Sequence, residues 1–116
     1  MNEKVLEFVL MERHLQNALN NEEYLLHYQP YFDLDTGEMV GMESLIRWKS
    51  DDLGLISPGK FIPVLEETKL IIPVGEWIIK EVCRQMKEWQ EKGYSVVPIS
   101  VNISPVQFMQ KIYPKW

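Results

Sequence analysis

The spacing of apolar positions switches between helical and alternating along this chain, and the switches mark out its elements. Val5, Phe8, Met11 (or Glu12), Leu15 and Leu19 recur at helical spacing and Asn20-Asn21 offers a stop, which predicts an amino-terminal amphipathic helix over residues 1–21. Tyr24 to Phe32 is dense in aromatic and aliphatic residues, and Asp33-Leu34-Asp35-Thr36-Gly37 supplies turn chemistry before a second apolar segment from Glu38 to Trp48. These two segments predict an antiparallel hairpin. Ser57-Pro58 is a helix start, since a serine oxygen can cap a free amide and proline suits the first helical position. Pro63 then predicts one kinked helix or two short pieces up to Thr68. A longer helix follows, with Ile78, Ile79, Val82, Met86 and Trp89 on its apolar side, Glu76, Lys80, Glu81, Lys87 and Glu88 mainly opposite, and Gly93 as its end. Val96 to Ser104 is strand-like again, with Val97, Ile99, Val101 and Ile103 on one face and Ser100, Asn102 and Ser104 on the other. A strand, a helical segment and a further strand make a parallel βαβ unit beyond the hairpin. Such units carry their chemistry at the carboxyl ends of the strands, where Glu43, Arg47 and Asn102 are expected to fall.

The second strand holds the most informative residues. In Met42-Glu43-Ser44-Leu45-Ile46-Arg47-Trp48, alternation sends Glu43, Leu45 and Arg47 one way and Met42, Ser44, Ile46 and Trp48 the other. Two opposite charges thus face a common space, yet at about 3.3 Å per residue they stand roughly 13 Å apart, too far to pair with each other. Burying either ion without a partner is costly, so a cation beside Glu43 and an anion beside Arg47 satisfy both. A metal ion and a phosphate are the economical choices.

The hairpin and this motif resemble the signature of the EAL family, the bacterial phosphodiesterases and receptors for cyclic di-GMP, with Ser44 where the name-giving alanine usually stands. Leu26-His27-Tyr28-Gln29-Pro30 is similar to the family's first strand and Gly37 to Trp48 to its second. Ser57-Pro58 through Phe61-Ile62-Pro63 with Glu66-Glu67-Thr68 matches the following connection, and Val101-Asn102-Ile103-Ser104-Pro105 the next strand and helix start. The resemblance runs from about Glu12 to Gln107. It implies an α/β fold, an incomplete TIM-type (β/α) barrel whose amino-terminal portion is an antiparallel hairpin followed by a parallel βαβ unit, with residues 22–116 forming a truncated EAL domain. A whole barrel takes roughly 250 residues, and this chain has 116.

What the resemblance implies for the site is specific. Glu43 and Asn102 are expected as metal ligands, hard oxygen donors suited to Mg²⁺ or Mn²⁺. Gln29, Leu45 and Arg47 are expected to bind substrate: the amide at the pocket, the leucine shaping its wall, the guanidinium holding a phosphate of cyclic di-GMP. The family opens that ring to a linear dinucleotide. Its later acidic ligands and catalytic lysine belong to strands beyond this chain, so no complete catalytic set is expected here and the chain alone is expected to be inactive. The alternative is a non-catalytic binding or dimerisation module. Ser44 adds a hydroxyl on the face away from the pocket, needing one hydrogen bond.

Composition narrows the picture further. A hydrophobic fraction of 46% with 25% charged residues is that of a folded domain. No stretch has the length of a membrane span, and the amino terminus lacks a secretory signal, so a cytoplasmic placement is expected. The net charge of −5 and pI near 5.0 argue against a nucleic acid polymer as partner, while a small anionic nucleotide needs only a local cation. Cys83, the only cysteine, is expected as a small buried thiol in a helix, and His14 and His27 as core or surface residues. The strand around Val101 would lack a neighbour on one side, which predicts a homo-oligomer through that edge.

Overall fold

The computed structural model describes residues 2–102. Of the strand expected over Val96–Ser104, only Ile99–Ser100 is strand among the described residues; the expected strand positions Ile103 and Ser104, the expected helix start at Pro105 and the segment from Gln107 to Trp116 lie outside those residues. The elements are α1 (Glu3–Ala18), β1 (Tyr24–Phe32), β2 (Met39–Ser50), β3 (Gly54–Ile56), α2 (Pro58–Glu67), α3 (Ile71–Glu91) and β4 (Ile99–Ser100). The expected partial α/β barrel is what forms. β1 and β2 make the antiparallel hairpin, in register from Tyr24 opposite Trp48 to Tyr31 opposite Gly41, and β4 joins β2 in parallel, Met42 opposite Ile99 and Glu43 opposite Ser100.

Each helix end follows from its local chemistry. The Asn2 side chain accepts from the Val5 amide at 2.9 Å and starts α1. Ser57 accepts from the Gly59 amide at 3.3 Å at the start of α2, with Pro58 in the first turn. α2 runs as one helix through Pro63. α3 begins at Ile71, ahead of the apolar repeat that announced it, because Pro73 falls in its first turn where no amide donor is needed. It ends at Glu91, and two residues on Gly93 turns the chain away with a φ of 87° that only glycine adopts freely. There the Gly93 amide donates to the Gln90 carbonyl and the Tyr94 amide to that of Trp89, the paired bonds of a Schellman cap.

The core lies between one face of the sheet and the helices. Trp48, Phe61 and Leu65 are its largest fully buried side chains, joined by Leu15 and Ala18 of α1, Tyr24 of β1, and Ile71 and Val74 of α3. Trp48 meets Phe61 edge-on at 5.5 Å between ring centroids, and Tyr24 sits among Trp48, Phe61 and Trp77. Alternation in β2 thus works as read: Ser44, Trp48 and Ser50 are buried and Ile46 packs against the core on the same face, while Glu43, Leu45 and Arg47 look the other way.

Three expectations are corrected. Cys83 is exposed, not buried; Val82 takes the inward position, and a helix turns 100° at each residue. Ile79 is 45% exposed for the same reason, one step round from Ile78 on the core side. Glu43 does not fall at the carboxyl end of β2. That strand runs on to Ser50 because β1 pairs with it up to Trp48 and the short β3, which the pattern did not announce, pairs with Trp48 to Ser50. Glu43 is instead level with Ser100, the last residue of β4.

Candidate functional site

The sheet face opposite the core gathers the residues with chemistry. Because side chains alternate and β1 and β2 are in register, Leu25 stands across from Arg47, His27 from Leu45, Gln29 from Glu43 and Tyr31 from Gly41. β4 brings Ser100 beside Glu43, and Asn102, two residues on, reaches the same side. Its amide Nδ2 lies 3.4 Å from Glu43 Oε2. The two residues expected to share a cation are thus adjacent although 59 positions apart in the chain.

Glu43 has a second neighbour. The Tyr31 hydroxyl donates to Glu43 Oε1 at 3.0 Å, and that bond to a carboxylate pushes the phenol up from its ordinary range. Tyr31 was not among the expected site residues. The signal available for it was its place on β1, two residues after Gln29 on the same face.

Arg47 is partly buried and bends back on the strand, Nη1 donating to the Ile46 carbonyl at 2.9 Å. It forms no salt bridge among the described residues, so other guanidinium donors remain for an anion. Leu45 is half-buried between Glu43 and Arg47, and Gln29 is exposed directly opposite Glu43. His27 is exposed on this face. His14 lies elsewhere, its Nδ1 3.7 Å from Asp52.

The opposite face holds this arrangement rigid. Ser44 is buried and its hydroxyl donates to the Ser100 carbonyl at 3.0 Å, the bond its position required. Together with the Met42 amide on the Pro98 carbonyl at 3.0 Å, it clamps β4 to β2 at the level of Glu43. At the other end of the strand Glu23, also buried, accepts from Trp48 Nε1 at 2.9 Å and from the Asp51 amide at 3.3 Å. Burial pushes this carboxyl up, but hydrogen bonding with Trp48, Asp51 and Asn21 together outweighs it and holds the group below the usual carboxylate range.

Chemically, Glu43 and Asn102 offer a carboxylate and an amide oxygen, a donor pair that fits a hard divalent cation. Six or more oxygens complete such a site, and among the described residues no group of three or more His, Cys, Asp or Glu is gathered. No helix of the described residues is long and apolar enough to cross a membrane.

Comparison with known proteins bears on the family and the fold. The EAL domain family matches residues 12–116, beginning inside α1. The chain is 42% identical over 108 residues to the bifunctional diguanylate cyclase/cyclic di-GMP phosphodiesterase MucR of Pseudomonas aeruginosa, an alignment covering 93% of this chain and 16% of that protein. It is 41% identical over 107 residues to the cyclic di-GMP phosphodiesterase PdeR of Escherichia coli, covering 92% and 16%. The chain therefore spans about one sixth of the length of these curated relatives. Among solved structures, the PaMucR phosphodiesterase in complex with c-di-GMP superposes with a TM-score of 0.79 at 42% identity, covering 85% of this chain and 40% of that one. The FimX EAL domain of Xanthomonas citri, also in complex with c-diGMP, gives 0.76 at 26% identity over 90% and 40%.

Proposed function

We propose, from the premise that this chain belongs to the EAL domain family, that it forms the amino-terminal wall of a site for cyclic di-GMP and a divalent cation, Mg²⁺ or Mn²⁺. The observation that carries this reading is the convergence of Glu43 and Asn102 from β2 and β4 on one open sheet face, with Gln29 opposite and Arg47 further along. Glu43 and Asn102 would hold the cation, which when bound polarises a phosphate oxygen and activates water for phosphodiester opening. Arg47 would bind a phosphate through guanidinium donors not taken by Ile46, Leu45 would cover a ring of the nucleotide, and Gln29 would fix its position by hydrogen bonding. Each group binds or orients; none supplies the general base.

Two oxygen donors do not complete a hydrolytic centre, and this supports a chain that binds without turnover on its own. Calorimetric titration of cyclic di-GMP with Mg²⁺ into this chain, beside Arg47→Ala and Glu43→Gln variants, tests the reading. We expect Arg47→Ala to weaken nucleotide binding with or without metal and Glu43→Gln to remove only the metal-dependent part. Equal affinity in all three would refute it, and release of linear dinucleotide by the chain alone would refute the inactivity. The open face and the edge beside β4 also support self-association of the chain, which light scattering at micromolar concentration checks: a monodisperse monomer would refute it. A cytoplasmic location fits a nucleotide ligand of this kind.

A further inference from the structure

We propose that Tyr31 is a positioning residue that fixes the Glu43 carboxylate as a ligand arm for the divalent cation, an inference that rests on the metal-binding reading above. Tyr31 and Gly41 face each other across β1 and β2. Gly41 has no side chain, and a Cβ placed on it would meet Tyr31 Cδ2 at 3.7 Å and the Pro98 carbonyl oxygen at 3.4 Å. The phenol ring therefore lies across the glycine, and lying there it reaches the diagonal neighbour two residues further along β2. That neighbour is Glu43, whose Oε1 accepts from the hydroxyl at 3.0 Å.

The two carboxylate oxygens are held unequally. Oε1 accepts from Tyr31 at 3.0 Å, within the O–H···O range though at its upper end, whereas the 3.4 Å from Asn102 Nδ2 to Oε2 lies beyond the usual N–H···O range. A carboxylate has about four lone-pair directions, so one bond from Tyr31 leaves Oε2 and its outward lone pairs for an ion. Asn102 gives up little in turning its own oxygen toward the same ion. Gln29, although directly opposite Glu43, makes no hydrogen bond to it among the described residues. Tyr31 thus limits the rotamers of a half-buried glutamate that would otherwise be ordered only when the ion arrives, and a hydrogen-bond partner of this sort is commonly worth 10–100-fold in metal affinity.

The test is paramagnetic broadening of the amide signals of ¹⁵N-labelled chain by Mn²⁺ up to low millimolar, which registers weak binding and needs no turnover. In the parent, the Glu43, Ser100 and Asn102 signals should broaden first. Tyr31→Phe keeps the ring over Gly41, so its urea midpoint should match the parent while the Mn²⁺ needed for equal broadening rises about tenfold. Tyr94→Phe, at an exposed tyrosine after α3, should change nothing. Glu43→Gln should raise the Mn²⁺ requirement at least as much as Tyr31→Phe. A rise below threefold for Tyr31→Phe, with a large one for Glu43→Gln, overturns the role of Tyr31 and leaves the metal reading standing. No effect of Glu43→Gln, or no broadening around Glu43 in the parent, overturns the metal reading and this inference with it.

Discussion

Replacing Glu23 by alanine isolates the interaction that anchors the far end of the site strand. The change removes a charged acceptor from Trp48 Nε1 at 2.9 Å and from the Asp51 amide at 3.3 Å. Trp48 is 0% exposed, so its indole N–H has no access to water once the carboxylate is gone. Hydrogen bonds to a charged group are worth about 1.5–3 kcal/mol, and an orphaned buried donor costs about 1–3 kcal/mol. The Asp51 amide sits in an exposed turn and recovers water. A net loss of about 3 kcal/mol is therefore expected, and with a urea slope of about 1.5 kcal/mol/M it lowers the midpoint by about 2 M. Far-ultraviolet circular dichroism during urea titration measures it, with Glu91→Ala, an exposed glutamate at the end of α3, as a control expected to stay within about 0.5 kcal/mol. Combining Glu23→Ala with Trp48→Phe should give a coupling above about 1 kcal/mol, since each single change strands the other partner. The pH dependence has a definite sign. The folded pKa of Glu23 lies below its unfolded value, so its contribution is fully present above the unfolded pKa, about 4.3, and is lost as pH falls through the folded one. The gap between parent and Glu23→Gln should accordingly narrow only below about pH 4. A midpoint for Glu23→Ala within about 0.3 M of the parent at pH 7 would refute the reasoning.

Three further outcomes are expected. Tyr24→Phe should hold stability or raise it by up to about 1 kcal/mol, because the Tyr24 hydroxyl is buried without a hydrogen-bond partner and its removal ends an uncompensated desolvation; a loss above about 1 kcal/mol in urea titration would reveal a partner. Gly93→Ala should cost about 1 kcal/mol, because φ at this cap is 87° and alanine resists that region; the same titration measures it. Ser44→Ala removes the bond to the Ser100 carbonyl and should cost about 1 kcal/mol while leaving cyclic di-GMP affinity within about twofold, since the hydroxyl lies on the core face; calorimetry separates the two effects.

Much of this architecture is legible in the residues alone because it depends on periodicity. The turn Asp33 to Gly37 between two apolar runs announces the hairpin, and the alternation of Glu43, Leu45 and Arg47 against Ser44, Ile46 and Trp48 announces which face is buried. What escaped depends on geometry between segments. β3 has three residues, too few for a period of two to register. Tyr31 enters the site diagonally across Gly41, a contact visible only once register is known. Cys83 and Ile79 fail for a subtler reason: each adjoins a core residue in sequence, and a helix places neighbours on different sides. Pro63 leaves open one helix or two, and α2 continues as one, with Phe61, Val64 and Leu65 buried on both sides of the proline; their packing outweighs the missing amide bond. The Glu23–Trp48 pair joins residues 25 positions apart, which no local pattern encodes.

The two faces of β2 answer to separate demands. Ser44, Trp48 and Ser50 decide whether the strand is made, while positions 43, 45 and 47 decide what it touches. Such a strand can change its chemical vocabulary without renegotiating its foundations. A library varied at 43, 45 and 47 alone should keep a nearly constant yield of soluble protein while its ligand preferences scatter, making this short segment an evolvable cassette.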